Sequence, residues 1–277
     1  MNATVATDLV FESAGPMPIG RILSAYVAAA RYEFVQALRA PAFAFPFLVL
    51  PAAVYFLFGV LMAGESSDPA VIANPQIATY LLSGFCAFAV MGPGIFGFGV
   101  GLAMERDQGL LKLKRAQPVP AGAHLLAKMA MSMGFAALAA GSVVVTALLV
   151  VTALLAGKVI VGAGAVLTLL AVMIVGALPF SAIGLLIGTY STSGASPAIA
   201  NLVYLPGIWL SGIFFPLPEA LRPWAVIWPA FHLDQTALGF AGVKEFSFVS
   251  PLWTAAVLLG VTVLCTGIAL RRLARVG

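Results

Sequence analysis

The sequence predicts an all-α integral membrane protein with six transmembrane helices. Of its 277 residues, 62% are hydrophobic and only 9% are charged, and the mean hydropathy is +1.07. A soluble domain carries about 25% charged residues, so lipid is the solvent for most of this chain. The length is sufficient for six helices, because each span needs about 20 apolar residues.

The first 39 residues precede the first long apolar run and fall into two parts. Residues 1–19 are acidic and lack the basic start and apolar run of a secretory signal, so we expect a flexible cytoplasmic N-terminus. Residues 20–39 form an amphipathic helix on a helical wheel, with Glu33 and Val35 as exceptions. Its apolar side consists of Ile22, Leu23, Tyr26, Val27, Ala30, Phe34 and Leu38. Arg21, Ser24, Arg31 and Arg39 lie on the other side, which is typical of a helix on the membrane surface.

Uncharged runs predict the six spans, and residues 40–270 together form the transmembrane domain. The spans cover residues 41–64, about 76–104, 129–156, 159–187, 198–215 and 246–270. No charge occurs between Val159 and Pro218, and the turn-forming cluster at 188–197 divides this stretch into two crossings. The second span ends in a glycine-rich segment in which Pro93 predicts a kink. Residues 271–277 form a basic cytoplasmic tail.

The basic residues predict the orientation of the spans. With a cytoplasmic N-terminus, eleven of the fourteen Lys and Arg residues lie inside and three, Lys158, Arg222 and Lys244, lie outside. This is a clear positive-inside bias. Both termini are therefore predicted to be cytoplasmic.

The sequence contains no pattern of residues that would make the chain an enzyme. No GxxxxGK[ST] phosphate-binding loop occurs, so we do not expect this chain to bind the phosphates of ATP in the usual way. Cys86 and Cys265 lie in apolar runs, and His124 and His232 have no neighbours at metal-ligand spacing. No Asp, Glu or His lies deep in a predicted span, which weakens a proton-coupled carrier or a membrane protease. We predict no catalytic residue, no metal site and no nucleic-acid partner.

Charge is concentrated in the connection MERDQGLLKLKRAQPVPAGAHLLAKM between the second and third spans. Gly109 allows a break, and LLKLKRA can form a short helix that Pro118 and Pro120 stop. Leu110, Leu111 and Leu113 can anchor such a helix in an apolar groove or at the lipid surface. A solvated loop that merely sets topology is the alternative.

This connection resembles the segment that joins the second and third helices of type-2 ABC (ATP-binding cassette) exporter permeases. The residues that match the family pattern are Glu105, Arg106, Gly109, Leu113, Pro118 and Lys128. A second segment, residues 210–240, is similar to the family's fifth-helix end and outer re-entrant segment. That likeness rests on Ser211, Gly212, Phe215, Pro216, Pro229 and Asp234.

The resemblance implies a transport subunit that is driven by other chains. Residues 105–123 would contain a coupling helix, with Leu110 among its contacts, seated in a cytoplasmic ATPase that binds ATP and Mg. Two such ATPase subunits would act on a homodimer of this permease, or on a pair with a similar one, in a bacterial inner membrane. Residues 216–240 would form the partly re-entrant outer segment.

Spans two and five are predicted to line the transport pathway. The resemblance places these spans at the centre of the dimer, where Gly97 and Gly101 would allow close helix approach. The candidate residues are Phe85, Phe88, Phe96, Phe98, Asn201, Tyr204, Trp209, Phe214 and Phe215. Asn201 is the strongest of these, because an amide inside a span needs a partner or a ligand. Aromatic rings with few polar groups favour an amphiphilic, lipid-like or drug-like cargo, and the resemblance to exporters implies that the cargo moves outward.

Two other functions stay open at this point. The first is a permease for a glycan or a lipid-linked polymer, although such a channel would need more polar residues along its bore. The second is a non-transporting sensor or assembly scaffold that docks a cytoplasmic ATPase through the same connection.

Overall fold

The computed structural model describes residues 18–65, 74–116, 122–154 and 161–276, and this part of the chain is helical without a β-strand. In chain order the elements are α1 Ile19–Leu38, α2 Pro41–Glu65, α3 Pro75–Gly92, a π-helix Pro93–Val100, α4 Gly101–Asp107, α5 Leu110–Ala116, α6 Ala123–Leu154, α7 Ala163–Val175, α8 Ala177–Tyr190, α9 Ser196–Trp209, α10 Arg222–Ala225, α11 Pro229–Phe240 and α12 Pro251–Val276. The predicted N-terminal segment 1–19 lies almost entirely outside the described residues, and so does Pro118.

Five stretches of helix within the described residues are long and apolar enough to cross a membrane. They are Pro41–Phe58, Pro75–Asp107, Ala123–Val150, Ala163–Tyr190 and Pro251–Arg275. Each overlaps one of the six predicted spans, and the chain is therefore a multi-pass membrane protein. The predicted fifth span, 198–215, differs because α9 has only 14 residues. Such a helix rises about 21 Å, less than the hydrocarbon thickness of about 30 Å, and the six-span count stays a prediction.

Helix α1 covers the predicted amphipathic stretch and packs against α6. Its predicted apolar side divides into two stripes. Phe34 is partly buried and meets Phe135 of α6 edge to face, with ring centroids 5.6 Å apart. Leu23 and Val27 are exposed. The inner stripe holds α1 on the protein, and the outer stripe is available to lipid, although its place at the membrane surface stays a prediction.

The second predicted span changes from α-helix to π-helix at Pro93. Proline has no backbone N–H, so it cannot donate to the carbonyl four residues earlier, and its ring crowds that carbonyl. A wider i→i+5 turn relieves the crowding within a continuous helix. The kink predicted from Pro93 is thus a π-helix that continues to Val100 before α-helical geometry resumes.

Glycines allow the π-helix and α8 to approach each other closely. A Cβ on Gly184 would lie 2.3 Å from the carbonyl oxygen of Gly94, and one on Gly99 would lie 2.9 Å from the carbonyl oxygen of Gly184. Because these atoms belong to the backbone, no side-chain rotation can make room. The sequence suggested Gly97 and Gly101 for close approach; Gly97 instead faces a phenylalanine side chain of α2, and Gly101 faces open space.

Helix α11 is buried and packs against α3, α7 and α12. Its one carboxylate, Asp234, accepts a hydrogen bond of 2.6 Å from the hydroxyl of Ser83 in α3. The hydroxyls of Thr236 and Thr254 are 2.7 Å apart and link α11 to α12. Buried polar groups need such partners, so these two contacts fix the position of α11 between its neighbours.

We expect Gly184→Ala to lower the free energy of unfolding by about 1–3 kcal/mol, the usual cost of overpacking. The added methyl group would collide with the backbone of the π-helix and force it away from α8. Reversible denaturant unfolding in detergent measures the change. Gly260→Ala is the matched control, since a Cβ there meets nothing within 4 Å and alanine favours helix over glycine. Equal losses in the two variants would contradict the prediction.

Candidate functional site

Four charged side chains meet where α1, α4, α5 and α6 come together. The two carboxylate oxygens of Glu33 lie 2.8 Å from Nζ of Lys114 and 2.9 Å from Nζ of Lys128. Oε1 of Glu105 lies 3.1 Å from Nζ of Lys114 and 2.8 Å from Nζ of Lys128. The side chains of Glu33 and Lys128 are only 8% and 5% exposed. We call these four residues the four-charge cluster.

Opposite charges next to Glu33 and Lys114 favour the ionised forms of these two side chains despite their burial. Burial alone would raise the pKa of Glu33, but the charge of Lys128 and the hydrogen bonds from both lysines outweigh it and hold the pKa below its ordinary value. Burial alone would lower the pKa of Lys114, but its hydrogen bonds and attraction to Glu33 and Glu105 raise it. Removing one partner leaves an uncompensated buried charge. The cluster therefore fixes α1, α5 and the start of α6 relative to one another.

Sequence reasoning included Glu105 and Lys128 in the coupling set but missed Glu33. On the helical wheel Glu33 was only an exception within the apolar side of a helix whose other charges are arginines. That exception was the available signal, because an acid on an apolar helix face is rarely buried without a cationic partner. The identity of the partner could not be predicted, since Lys114 and Lys128 lie 81 and 95 residues further along the chain.

Helix α5 buries one of its leucines against the protein and exposes the other two. Leu111 is buried in a cluster with Leu102, Leu125 and Leu273, whereas Leu110 and Leu113 are exposed, Leu113 by 64%. Gly109 has a φ of +75°, a left-handed conformation that favours glycine. This glycine makes the predicted break, which separates α5 from α4.

Arg106 ties the end of α4 to the end of α8. Its guanidinium donates hydrogen bonds of 3.1, 2.6 and 2.7 Å to the backbone carbonyls of Gly188, Thr189 and Ser191. The first two carbonyls belong to the last turn of α8 and the third to the residue that follows it, at the end where the helix dipole is negative and a cation is stabilising. Asp107 accepts a 2.7 Å hydrogen bond from a backbone N–H in the turn after α8. Movement of α4 would thus be passed to α8 directly.

Six of the nine predicted pathway residues form one connected aromatic group between the second span and the α9 region. The ring contacts are Phe85–Phe214 at 4.8 Å, Phe88–Phe214 at 5.4 Å, Phe88–Tyr204 at 6.0 Å, Phe96–Tyr204 at 5.3 Å and Trp209–Phe214 at 6.1 Å between centroids. We call these six residues the aromatic group. The rings pack against one another directly, so a cargo could pass between the two elements only if these contacts separated.

The other three predicted pathway residues lie elsewhere. Phe215 contacts Phe58 of α2 at the edge of the aromatic group. Phe98 is fully buried in the cluster of Leu111, away from that group. Asn201 is exposed on α9, and its amide donates a 3.0 Å hydrogen bond to the carbonyl of Pro197 in the same helix. Its neighbours on the exposed side of α9 are Leu202, Leu205 and Trp209.

In the described part of the chain, no three His, Cys, Asp or Glu side chains are grouped in a way that could hold a metal ion.

Comparison with known proteins matches most of the chain to one family. The family model described as "ABC-2 type transporter" matches residues 24–243. The chain is also 26% identical over 214 residues to the protein named "Putative transport permease YvfS" from Bacillus subtilis (strain 168). That alignment covers 74% of this chain and 80% of the relative. The matched range runs from α1 through α11 and so includes the four-charge cluster and the aromatic group.

We expect Glu33→Gln to lower the free energy of unfolding by about 3 kcal/mol, because it leaves the buried Lys128 and the partly buried Lys114 with one carboxylate instead of two. Reversible denaturant unfolding in detergent at neutral pH measures the loss.

The control for this variant is Glu219→Gln, which removes a carboxylate that is 91% exposed. Its effect should stay within about 0.5 kcal/mol. The double variant Glu33→Gln, Lys128→Met should recover part of the loss. It removes one carboxylate together with one ammonium group, and Glu105 and Lys114 stay paired with each other. A Glu33→Gln variant as stable as the control would show that the cluster does not hold the helices together.

Proposed function

The chain belongs to the ABC-2 type transporter family, and from this premise we propose that it is the permease subunit of an ATP-driven exporter. Its cargo is amphiphilic, lipid-like or drug-like, and a separate ATPase supplies the energy. The observation that carries this proposal is the arrangement of α5, whose exposed leucines project from a helix fixed by the four-charge cluster. A short helix of this kind can receive a force and pass it on without bending.

The proposed path of the force follows the ion pairs. An ATPase subunit grips Leu110 and Leu113 of α5 and moves the helix when ATP binds. Lys114 transmits that movement to Glu33 of α1 and to Glu105 of α4. Arg106, which follows Glu105 in α4, transmits the movement to the end of α8. The movement thereby reaches the second span and its glycine-packed neighbour together.

The proposed topology places α1, α5 and both termini in the cytoplasm of a bacterial cell. The positive-inside bias supports it, since eleven of the fourteen Lys and Arg residues then lie inside. Residues 216–240 form the outer re-entrant segment, and α11 is its buried part. Because α9 is short, it crosses most of the membrane but not all of it, and the chain reaches the outer surface through the residues that follow Trp209.

A second copy of the permease would complete the pathway. The exposed side of α9 is apolar, with Leu202, Leu205 and Trp209 beside the single amide of Asn201. Two such sides facing each other bury this surface and place both copies of Asn201 near the dimer axis. The aromatic group lies directly behind it. The working assembly is then two permeases, or one paired with a similar chain, on two ATPase subunits.

The composition of this region supports an amphiphilic cargo over a glycan or lipid-linked polymer. The aromatic group has one hydroxyl, on Tyr204, and one indole N–H, on Trp209, among six rings. Rings bind apolar surface well and offer little to a chain of hydroxyls. A polymer channel would need polar side chains along its whole length.

Reconstitution separates transport from the scaffold alternative. The permease is purified with its co-purifying ATPase, reconstituted into vesicles and supplied with ATP and a panel of amphiphiles. ATP-dependent movement of a panel member out of the ATPase-facing leaflet supports the proposed function. ATP hydrolysis without movement of any member favours a non-transporting scaffold.

We expect Leu113→Asp to weaken the complex with the ATPase by at least about tenfold, because a carboxylate would enter an apolar contact at its centre. Co-purification and permease-stimulated ATP hydrolysis measure the effect. Leu113→Met keeps the contact apolar and should retain both activities. An intact complex with unchanged hydrolysis in Leu113→Asp would contradict the coupling role of α5.

We expect Asn201→Leu to change the transport rate by about fivefold or more while assembly stays intact, because the pathway loses its one amide. Transport by reconstituted vesicles gives the rate, and co-purification of the ATPase reports assembly. Thr168→Leu is the matched control, since the Thr168 hydroxyl also bonds a carbonyl four residues earlier in its own helix but lies on α7. Wild-type rates in Asn201→Leu would remove this residue from the pathway.

A further inference from the structure

A cavity of about 610 Å³ opens between α1 and α5, beside the four-charge cluster. Its apolar lining consists of three alanines of α1, among them Ala28, and of Leu110 and Leu113 of α5. Its polar lining consists of Tyr32, Glu33, Gln36, Glu105, Lys114 and His124. Cavities of about 300–1,000 Å³ bind ligands of drug size, so this space is large enough for a lipid head group and the start of its chains.

The polar lining of the cavity has hydrogen-bonding capacity that the described residues do not use. Glu105 accepts hydrogen bonds from both lysines at Oε1, whereas its Oε2 is buried without a partner among the described residues. Lys114 has three N–H groups, and its described hydrogen bonds go to two acceptors, Glu33 and Glu105. A buried carboxylate oxygen without a donor is unfavourable. The cavity therefore favours a ligand that brings a cationic donor and, next to it, an anionic acceptor.

The location of the cavity favours a membrane lipid as the source of this ligand. Helix α1 leads directly into the first span, and Leu23 and Val27 are exposed along its outer stripe. The alanines that line the cavity lie on the same helix, next to this outer stripe. A lipid with its head group at the cluster can therefore direct its acyl chains along α1 toward the bilayer.

We propose that this cavity binds a phospholipid whose head group carries a primary ammonium, of the phosphatidylethanolamine class. The ammonium donates a hydrogen bond to Oε2 of Glu105 after a small rotation of the carboxylate, and the phosphate accepts one from Lys114. The glycerol and the upper acyl chains pack on Ala28 and the two other alanines of α1. A choline head group has no N–H to donate, and a purely anionic head group meets two carboxylates without a cation of its own.

The test uses the purified full-length permease in mild detergent with equal amounts of palmitoyl-oleoyl phosphatidylethanolamine, phosphatidylcholine and phosphatidylglycerol. Native mass spectrometry counts the lipids that remain bound. We expect the ethanolamine lipid to be retained about tenfold over the other two, the factor that one hydrogen bond to a charged group contributes. Ala28→Trp fills the cavity and should abolish this preference. Val27→Trp places the same ring on the exposed stripe of α1, outside the cavity, and should keep it.

Three results would overturn the proposed lipid site. Equal retention of the three lipids by the wild-type protein, or stronger retention of phosphatidylglycerol, overturns the proposal. A preference that survives Ala28→Trp also overturns it, because the lipid would then bind elsewhere on the surface. No ATPase, ATP or cargo takes part in this experiment, so its failure would leave the proposed transport function untouched. Failure of the transport assay would likewise leave the proposed lipid site untouched.

Discussion

The pairing of buried charge organises the end of the molecule that carries α1 and α5. A chain with so little charge cannot leave a lysine and a glutamate buried between helices unless each has opposite partners at hydrogen-bond distance. In the four-charge cluster every carboxylate meets both lysines and every lysine meets both carboxylates. This geometry admits one arrangement of the helices that carry them, so the cluster specifies where a surface helix, a connecting helix and a long span meet.

The same region shows how helices can be held in place in a membrane protein built mostly of weak apolar contacts. Apolar side chains in lipid have little preference for one another over acyl chains, so packing alone gives helices freedom to slide. Two features restrict that freedom here. Glycine contacts bring the backbones of the π-helix and α8 together, and Arg106 binds the last carbonyls of α8 from the end of α4. In effect the second span and α8 form one body with α5 attached to it.

The sequence predicted what depends on local composition and missed what depends on distant partners. Uncharged runs located five helices that can span a membrane, because the length of an apolar run is a local property. The short length of α9 could not be predicted in this way. The helix ends at Trp209, before a turn in which Gly212 has a φ of +72°, although the apolar sequence continues. Glu33 was missed because its lysines are far along the chain. The aromatic residues were found by composition, but only tertiary packing separates Phe98 from the other rings.

The helices differ in the kind of contact that joins them to one another, and this difference indicates where a transport movement would take place. Ion pairs, backbone contacts and a capped helix end join α1, α4, α5, α6 and α8, whereas α9 meets the second span mainly through the rings of the aromatic group. Hydrogen bonds weaken steeply when their geometry is lost, whereas ring pairs are favourable in offset or edge-to-face arrangements over centroid distances of about 4.5–7 Å. A push on α5 would therefore move the joined helices as a unit, and the aromatic group is the place where they would part from α9. The proposed pathway runs beside α9, so its opening would require the joined helices to move relative to α9.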